Sequence, residues 1–373
     1  MIRIVHVTES LKQRYGVTSV IMSYYRAINK ERVQFDFLVN EAEPQIIDEI
    51  QNLGGCVYFF PTLGLTNICS VRNDLRSFFE KHHAEYTAVH SAFTQLEFLI
   101  FSEAKRVGIL HRISHSHATT YTVGGWVKTL RNWLMHTIGK PYVTDYFSCG
   151  DEAGLFLFGP QKIRSPYYYK MRNAIRLDRF PYDVSIRDII RKQYSWENDY
   201  IIGCVGSLSS RKNQIYLVNL LVYIIKRIPN AKLAFVGDGP ARNELEKTIS
   251  KLSISNRCCL LGTSDRVPEL LCAFDCFALP SFMEGLPISV VEAQATGLPC
   301  ILSDNITKEV AITNLCSYCA IGDDKSWVDA FVSAMSIERR DHHDEVREKG
   351  YDIMIEAQRL ADKYEAMAID NRN

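Results

Sequence analysis

Two glutamates, Glu284 and Glu292, stand eight residues apart in the stretch Glu-Gly-Leu-Pro-Ile-Ser-Val-Val-Glu. A short apolar run, Cys276–Leu279, predicts a strand that leads into the loop carrying Glu284, and Ile288–Ala295 predicts a helix that carries Glu292. Because eight residues are a little over two helical turns, both carboxylates can border one crevice. The helix N-terminus offers N–H groups to a phosphate, and an acid inside the helix can reach ribose hydroxyls. The alternative is two surface glutamates beside a buried helix, which the Gly-Leu-Pro sequence on both sides disfavours.

With this motif the chain resembles the retaining glycosyltransferases of family 4, and within them the branch that makes capsular polysaccharide and exopolysaccharide. The resemblance covers almost the whole chain and is most specific over 284–304. It implies the GT-B fold, in which two Rossmann-like domains flank a deep cleft and the last helix crosses back onto the first domain.

The same resemblance implies an activity. A hexosyl or N-acetylhexosaminyl group would move from a nucleotide diphosphate sugar, in this branch mostly a UDP-sugar, to a glycan or lipid-linked saccharide acceptor. The anomeric configuration would be retained. No divalent metal and no other cofactor is expected.

The length of 373 residues fits two domains. Apolar runs alternate with amphipathic stretches in both halves, which predicts two parallel sheets with helices on both faces. We expect an acceptor-binding domain at 1–180, joined by the terminal helix at 355–373, and a donor-binding domain at 197–354. The polar stretch Asp178–Trp196 is predicted to connect them. The predicted strands are Ile2–Val7, Phe35–Val39, Val57–Phe60, Ala88–His90, Arg112–His115, Tyr146–Ser148, Ile201–Val205, Leu233–Val236, Cys258–Leu261, Cys276–Leu279 and Cys300–Leu302.

Composition excludes several classes of protein. Hydrophobic residues make up 47% and charged residues 23%, which is typical of a globular chain. No run of about 18 uncharged apolar residues is present, and no basic-then-apolar leader precedes the first strand, so we expect a cytoplasmic protein. The formal net charge is zero and no nucleic-acid partner is expected. Residues 101–180 nevertheless hold 12 Lys and Arg against 5 Asp and Glu, a surplus that could attract an anionic partner.

Eleven cysteines, an odd number without a leader segment, favour free thiols over a disulfide framework. Cys316 and Cys319 have the spacing of one half of a zinc site, but no second pair lies nearby in the sequence. The sequence therefore predicts no metal site.

The stretch Val205–Asn213 follows a predicted strand and opens a helix. Its small residues would let the backbone approach a phosphate, and Arg211 or Lys212 could neutralise the charge. By resemblance, Lys212 holds the donor diphosphate. The family usually has arginine directly after the first glycine, where this chain has Ser207, so the phosphate clamp is weakened unless Arg211 reaches in. The alternative is a serine-rich turn with a solvated basic helix start.

The resemblance also assigns roles to the paired-glutamate motif. Glu284 would face the transferred sugar and its developing positive charge, and Glu292 the ribose hydroxyls. Pro287 has no N–H to give. The remaining donor-binding residues are expected to be Gly16, Gly206, Gly237, Gly285, Leu286 and Ile288.

The first domain contributes two histidines. His115 and His117 end a predicted strand, so alternation points both imidazoles to the same side, and they match the family's His-x-His. We expect His117 to contact the transferred sugar, and so to be catalytic with Glu284 and Lys212, and His115 to lie on the acceptor side. The alternative is two structural histidines. Of the family's Gly-Gly loop after the first strand, only Gly16 is present, which puts the closest backbone approach to the donor phosphate in doubt.

Gly125–Lys140 predicts a helix with an apolar stripe, two tryptophans and basic flanks that include Lys128 and Arg131. Core packing is the default interpretation. The sharper one is peripheral contact with the inner face of the cell membrane, since basic, Trp-bearing faces suit anionic headgroups.

Three rival functions remain. An inactive GT-B partner subunit of another transferase is favoured by Ser207 and by the single glycine at position 16. A nucleotide-sugar epimerase on the same architecture has less support. A Rossmann oxidoreductase is disfavoured because no G-x-G-x-x-G follows the first strand.

Overall fold

The computed structural model describes residues 1–13, 15–64, 67–119 and 126–370, without the side chains of 126–129. The chain divides into two compact units. Unit 1 comprises Met1–Ala174 together with Ile353–Asn373, and unit 2 comprises Ile175–Asp352.

Unit 1 contains a parallel seven-stranded sheet in the order β3-β2-β1-β4-β5-β6-β7. Its central strands are apolar on both faces, as expected for a sheet covered by helices on both sides. The strands are β1 Ile2–Leu11, β2 Val33–Ala42, β3 Val57–Phe59, β4 Ala88–Ser91, β5 His111–Ser116, β6 Asp145–Ser148 and β7 Tyr168–Lys170. The helices are α1 Gly16–Ala27, α2 Pro44–Asn52, α3 Ile68–His82, α4 Glu97–Arg106, α5 Trp126–Gly139 and α6 Asp151–Lys162.

Unit 2 contains a parallel six-stranded sheet in the order β10-β9-β8-β11-β12-β13. The strands are β8 Tyr200–Val205, β9 Ala231–Val236, β10 Cys258–Leu260, β11 Cys276–Leu279, β12 Cys300–Ser303 and β13 Cys316–Cys319. The helices are α7 Val184–Gln193, α8 Gln214–Arg227, α9 Arg242–Lys251, α10 Val267–Ala273, α11 Ile288–Ala295, α12 Asp324–Ala334 and α13 His343–Glu348.

Both sheets reverse their strand order at one place, between β1 and β4 in unit 1 and between β8 and β11 in unit 2. In open parallel sheets, ligands bind beyond the carboxyl ends of the strands at such a reversal. The loops that follow β8 and β11 carry the glycine-rich stretch and the paired-glutamate motif. The predicted two-sheet α/β architecture is confirmed, and the reversal in unit 2 brings these two loops to the same edge.

The stretch 178–196, predicted as a connection, contains α7 and packs within unit 2. The carboxylate of Asp183 caps α7 by accepting hydrogen bonds from the N–H groups of Ser185 and Ile186. On the other side of the helix, Arg191 donates to the Asp275 carboxylate at 3.0 Å. The polar composition of the stretch 178–196 is that of a surface helix held by ion pairs. The chain passes from unit 1 to unit 2 before this stretch, between Ala174 and Ile175.

The last helix, α14 (Ile353–Ile369), returns to unit 1 and packs on α1, β1 and β2. Tyr364 lies fully buried among the aromatic rings of Phe35 and Phe147. On the outer side, Arg32 donates to the carboxylates of Glu365 and Asp362, each at 2.7 Å. The predicted return of the terminal helix to the first unit is confirmed.

Two strands escaped the sequence prediction, β7 and β13, and both lie at sheet edges. Edge strands are short and partly exposed, so they lack the continuous apolar run of a central strand. β13 carries Cys316 and Cys319, which are three residues apart on a strand and therefore point to opposite faces. They cannot act as a pair of metal ligands, and all eleven cysteines of the chain, each within the described ranges, are free thiols.

Candidate active site

A buried ion pair joins the two loops at the carboxyl edge of the unit 2 sheet. The Lys212 ammonium donates to Glu284 Oε1 at 2.9 Å, and the Ser281 hydroxyl donates to the same oxygen at 2.8 Å. Lys212 is 8% and Glu284 7% exposed. The interpretation of Glu284 as an ordinary surface glutamate is therefore wrong. A ligand that carries an anionic and a cationic group could replace this ion pair, with its anion bound by Lys212 and its cation by Glu284.

Gly206 makes room for the Lys212 side chain. A Cβ at this position would lie 2.8 Å from Lys212 Cε, and the backbone φ of +142° is one that residues with a side chain rarely adopt. Gly237, in the next strand-to-helix turn, lies against Gly206. Its φ is +141° and a Cβ there would lie 2.1 Å from the Gly206 carbonyl oxygen. The two predicted glycines thus let two loops meet backbone to backbone.

Asn213 locks the glycine-rich loop to the glutamate loop. It has the left-handed conformation with φ of +54°, and its side-chain amide donates to the carbonyl oxygen of Pro280 at 3.2 Å. Phe282 adds a backbone bond by donating its N–H to the Arg211 carbonyl at 2.9 Å. These links fix where Lys212 enters the site.

Arg211 does not accompany Lys212 into the interior. Its side chain is exposed, as is that of Ser207, whereas Lys212 is buried. Consecutive residues in the turn before α8 point in different directions, so one basic residue of the pair faces inward. The cation at this edge is therefore Lys212.

Glu292 lies within α11, one turn beyond the helix start, and is half-buried. Burial raises the pKa of its carboxyl to about 7, and the nearby positive charge of Arg179 offsets part of that rise. Gly285 and Leu286 follow Glu284 in the loop, and Ile288 is the first residue of α11, whose N-cap is Pro287 with no capping side chain. Sequence reasoning missed Arg179, because it lies 113 residues before Glu292 and belongs to no motif.

Four histidines of unit 1 form a column, in which His6, His90 and His115 are buried and His117 is half-buried. The ring centroids of His6 and His90 are 4.7 Å apart, those of His90 and His115 5.0 Å, and those of His115 and His117 3.9 Å. Burial lowers the pKa of His117 to about 4 and holds the pKa of His115 well below its usual value. The predicted common orientation of His115 and His117 is present, and near neutral pH both rings are uncharged hydrogen-bonding groups.

Gly16 is the first residue of α1 and is exposed. Apart from its chain neighbours, no atom of the described residues lies within 4 Å of the place where a Cβ would stand, so packing among these residues does not require glycine there. Arg14, in the same loop, lies outside the described residues.

In helix α5 apolar side chains are exposed and polar side chains are buried, which is the opposite of core packing. Leu130, Trp133, Leu134 and Ile138 are between 45% and 53% exposed, while Asn132 and His136 are buried. The expectation of a core-packed apolar stripe is wrong for these four residues, because the helix turns polar side chains inward. Gly125 and the side chains of Trp126, Val127 and Lys128 lie outside the described part of the chain. No helix in the described ranges has the length and hydropathy needed to cross a bilayer.

Across the described residues, no group of three or more His, Cys, Asp or Glu side chains is placed to hold a metal ion. The groups at the edge of the unit 2 sheet are instead the paired Lys212 ammonium and Glu284 carboxylate and the start of α11, the helix that carries Glu292. Such a set can bind a phosphate next to hydroxyl groups.

Comparison with known structures places this architecture among the GT-B glycosyltransferases. HepE of Anabaena, solved in complex with UDP, superposes with a TM-score of 0.74 at 15% identity, covering 99% of this chain and 98% of HepE. A glycosyltransferase from Rickettsia africae superposes with a TM-score of 0.75 at 14% identity, covering 99% of both chains. At these identities the likeness establishes the fold, and the expected GT-B fold is confirmed.

Sequence relatives establish the family. Residues 186–353 match the family of glycosyl transferases group 1. EpsF of Bacillus subtilis (strain 168), which carries a provisional glycosyltransferase assignment, is 33% identical over 83% of this chain and 80% of its own. An Escherichia coli protein, UDP-Gal:alpha-D-GlcNAc-diphosphoundecaprenol alpha-1,3-galactosyltransferase, is 27% identical over 81% of this chain and 79% of its own. The chain belongs to the group 1 glycosyltransferases.

The buried ion pair yields a prediction about stability. Lys212→Met leaves the Glu284 carboxylate buried without its cation and should lower the free energy of unfolding of unit 2 by on the order of 3 kcal/mol. Adding Glu284→Gln removes the charge that lost its partner and should recover much of that loss. Urea unfolding in a Trp126→Phe, Trp133→Phe background measures this, because the remaining fluorescence comes from Trp196 and Trp327 of unit 2.

Arg227→Met is the matched control. Its partner is Asp329 at 3.1 Å, both side chains are about half-exposed, and the loss should stay below about 1 kcal/mol. If the double variant loses as much stability as the sum of the two single variants, the ion pair is not energetically coupled.

Proposed function

We propose that the protein is a retaining, family 4 glycosyltransferase that transfers a hexosyl or N-acetylhexosaminyl group from a UDP-sugar to a lipid-linked saccharide or glycan during synthesis of a surface polysaccharide. The observation that carries the proposal is the buried Lys212–Glu284 pair where the strand order of unit 2 reverses. The Escherichia coli relative supports the donor and acceptor classes, since its name gives UDP-Gal and a diphosphoundecaprenol-linked sugar. HepE, solved with UDP-glucose, supports a UDP-sugar donor.

In this proposal Lys212 leaves Glu284 to bind the donor diphosphate. Glu284 then faces the sugar, where a carboxylate stabilises the oxocarbenium-like charge of the transition state. Backbone N–H groups of Gly285, Leu286 and Ile288, with the positive end of α11, complete the phosphate site. Ammonium, N–H groups and helix dipole together stabilise the leaving diphosphate, so the reaction needs no divalent metal.

The remaining residues orient the two substrates. Glu292 accepts hydrogen bonds from the ribose hydroxyls, and the loops at Gly206, Gly237 and Gly16 let backbone approach the donor. His117 contacts the transferred sugar as a neutral imidazole, with His115 behind it on the acceptor side. In this proposal Glu284 forms no covalent bond with the sugar. The acceptor hydroxyl attacks on the face from which the diphosphate leaves and passes its proton to the leaving phosphate oxygen.

The second candidate is an inactive partner subunit of another transferase. Ser207 in place of the family arginine favours it, and so does the exposed position of the Arg211 side chain. The burial of the Lys212–Glu284 pair favours the active enzyme, because a subunit without a ligand gains little from two buried charges.

Donor cleavage separates these two candidates. The purified protein is incubated with a panel of UDP-, GDP- and ADP-sugars in EDTA without acceptor, and release of the nucleoside diphosphate is followed by mass spectrometry. We expect slow hydrolysis of one UDP-sugar, and a decrease of at least about 100-fold in Glu284→Gln, the size typical of losing one group that stabilises transition-state charge.

Arg227→Met, at the opposite end of α8 from Lys212 and about half-exposed, serves as the control with unchanged release. Release only after a divalent cation is added would contradict metal independence. No release from any sugar, with no thermal shift from any nucleotide, would replace the enzyme by the inactive partner.

The raised pKa of Glu292 predicts a pH dependence of nucleotide binding. In the free protein the carboxyl ionises near pH 7, and ribose hydroxyls donate to the ionised form. Affinity for UDP should therefore increase about tenfold between pH 6 and pH 8 and level off above pH 8. Calorimetric titration of wild type and Glu292→Gln measures this; the titration of UDP itself is common to both proteins. The same pH dependence in both proteins would exclude Glu292 from the ribose site.

We further propose that α5 places the protein at the inner, anionic face of the cell membrane. Leu130, Trp133, Leu134 and Ile138 form an exposed apolar face on one helix, and the exposed Arg131 and Lys140 flank it. Such a helix binds at the level of the lipid headgroups. A lipid-linked acceptor would then lie at the surface to which the enzyme is bound.

Flotation with vesicles of anionic lipid tests this placement. Trp133→Ser with Leu134→Ser should reduce binding by at least about tenfold, because each buried apolar side chain contributes about 1.5–3 kcal/mol. Arg131→Glu should weaken binding to anionic but not to neutral vesicles. Ile189→Ser with Tyr223→Ser, two exposed apolar residues of unit 2, is the matched control. Equal flotation of the α5 variant and this control would remove the membrane face from α5.

A further inference from the structure

A chain of buried hydrogen bonds runs from the terminal helix to the histidine that lies beneath His117. The hydroxyl of Tyr364 on α14 is 2.6 Å from His90 Nδ1 on β4, and His90 Nε2 is 2.9 Å from His115 Nδ1 on β5. Each of the three side chains is at most 2% exposed. We call this chain the Tyr364 relay.

The chemistry of Tyr364 fixes the direction of the relay. Within the described structure, His90 is the hydrogen-bond partner of its hydroxyl. A phenol O–H is a stronger donor than an imidazole N–H, and an imidazole nitrogen is a stronger acceptor than a phenol oxygen. Burial also raises the pKa of this phenol well above its usual value, which keeps the proton on the oxygen. Tyr364 therefore donates to His90 Nδ1.

The proton positions on the two imidazoles follow from that direction. A neutral imidazole carries one N–H, so His90, whose Nδ1 accepts, carries its proton on Nε2 and donates it to His115 Nδ1. His115 must then carry its own proton on Nε2. That N–H is buried and has no acceptor among the described residues.

His115 lies directly against His117. Their rings stack with centroids 3.9 Å apart at an angle of 29° between the planes. A ring held at one nitrogen by the relay is a fixed surface for its stacking partner. The buried Nε2 of His117 also has no hydrogen-bond partner among the described residues. The contact that the structure shows for the His117 ring is its stacking on His115.

We propose that Tyr364 and His90 are positioning residues, which hold His115 in the Nε2–H form and so fix the orientation of the His117 ring. The relay acts on the proposed transferase through His117, and in that respect it rests on the proposed function. The tautomer of His115 can be measured whether or not the protein is an enzyme. The terminal helix thus contributes a side chain to the histidine column as well as covering the sheet.

Nitrogen-15 NMR of histidine-labelled protein measures the tautomer directly. At neutral pH, His115 should show protonated Nε2 and unprotonated Nδ1, with the resonance assigned by its loss in His115→Gln. Tyr364→Phe removes the O–H donor, and His115 should then populate both tautomers. Wild-type His115 with its proton on Nδ1, or an unchanged tautomer in Tyr364→Phe, would overturn the relay.

Tyr24→Phe is the matched control. Tyr24 is a fully buried tyrosine of the same unit, and its hydroxyl donates to the Arg172 carbonyl at 2.8 Å, outside the relay. It should lose a comparable amount of stability but leave the His115 resonances unchanged. A tautomer change in both variants would show that general loosening, and not the relay, is responsible.

Turnover gives a second measure. Tyr364→Phe should lower kcat for release of UDP about fivefold, which corresponds to one hydrogen bond of about 1 kcal/mol, with unchanged affinity for UDP. Tyr24→Phe should leave kcat unchanged. A His115 tautomer that changes without any change in kcat would overturn the link to His117. Absence of UDP release from wild type would overturn the proposed function, and the NMR result would still decide whether the relay exists.

Discussion

The buried ion pair between Lys212 and Glu284 is the constraint on which the candidate site of unit 2 depends. Removing two charges from water is costly, and the opposite charge 2.9 Å away offsets part of that cost for each of them. The surrounding loops follow from this requirement: Gly206 leaves room for the lysine stem, Gly237 lets the next loop approach, and Asn213 ties the lysine loop to the loop of Glu284. A diphosphate sugar offers an anion to Lys212 and a developing cation to Glu284, so it can replace both halves of the pair at once.

The histidine column of unit 1, unlike the ion pair of unit 2, consists of uncharged groups. Burial keeps its rings neutral near pH 7, and they hold position by hydrogen bonding and stacking. A neutral imidazole can contact a sugar hydroxyl without repelling the oxocarbenium-like charge of a transition state. The fully buried Tyr364 at the end of this column links the return of α14 to the chemistry proposed for His117.

Much of the fold followed from local pattern, since the central strands are apolar runs and the glycine turns and paired glutamates are contiguous motifs. Sequence reasoning also identified Lys212 and Glu284 separately. Their pairing requires β8 and β11 to be adjacent in the sheet, and a local motif does not encode which strands are adjacent. The same limit hid Arg179 beside Glu292 and the relay from Tyr364 to His115, because their members come from distant segments. Periodicity showed that α5 is amphipathic but not which of its faces is buried. The strands β7 and β13 were not predicted because they are short, partly exposed edge strands.

In the proposed reaction the donor diphosphate takes Lys212 from Glu284. The most direct measurement is a crystal structure of the protein with UDP bound. We expect a phosphate oxygen within hydrogen-bond distance of Lys212 Nζ, the ribose hydroxyls on Glu292, and the Lys212–Glu284 bond broken or shared. UDP bound elsewhere, with the Lys212–Glu284 bond still at its length of 2.9 Å, would contradict it.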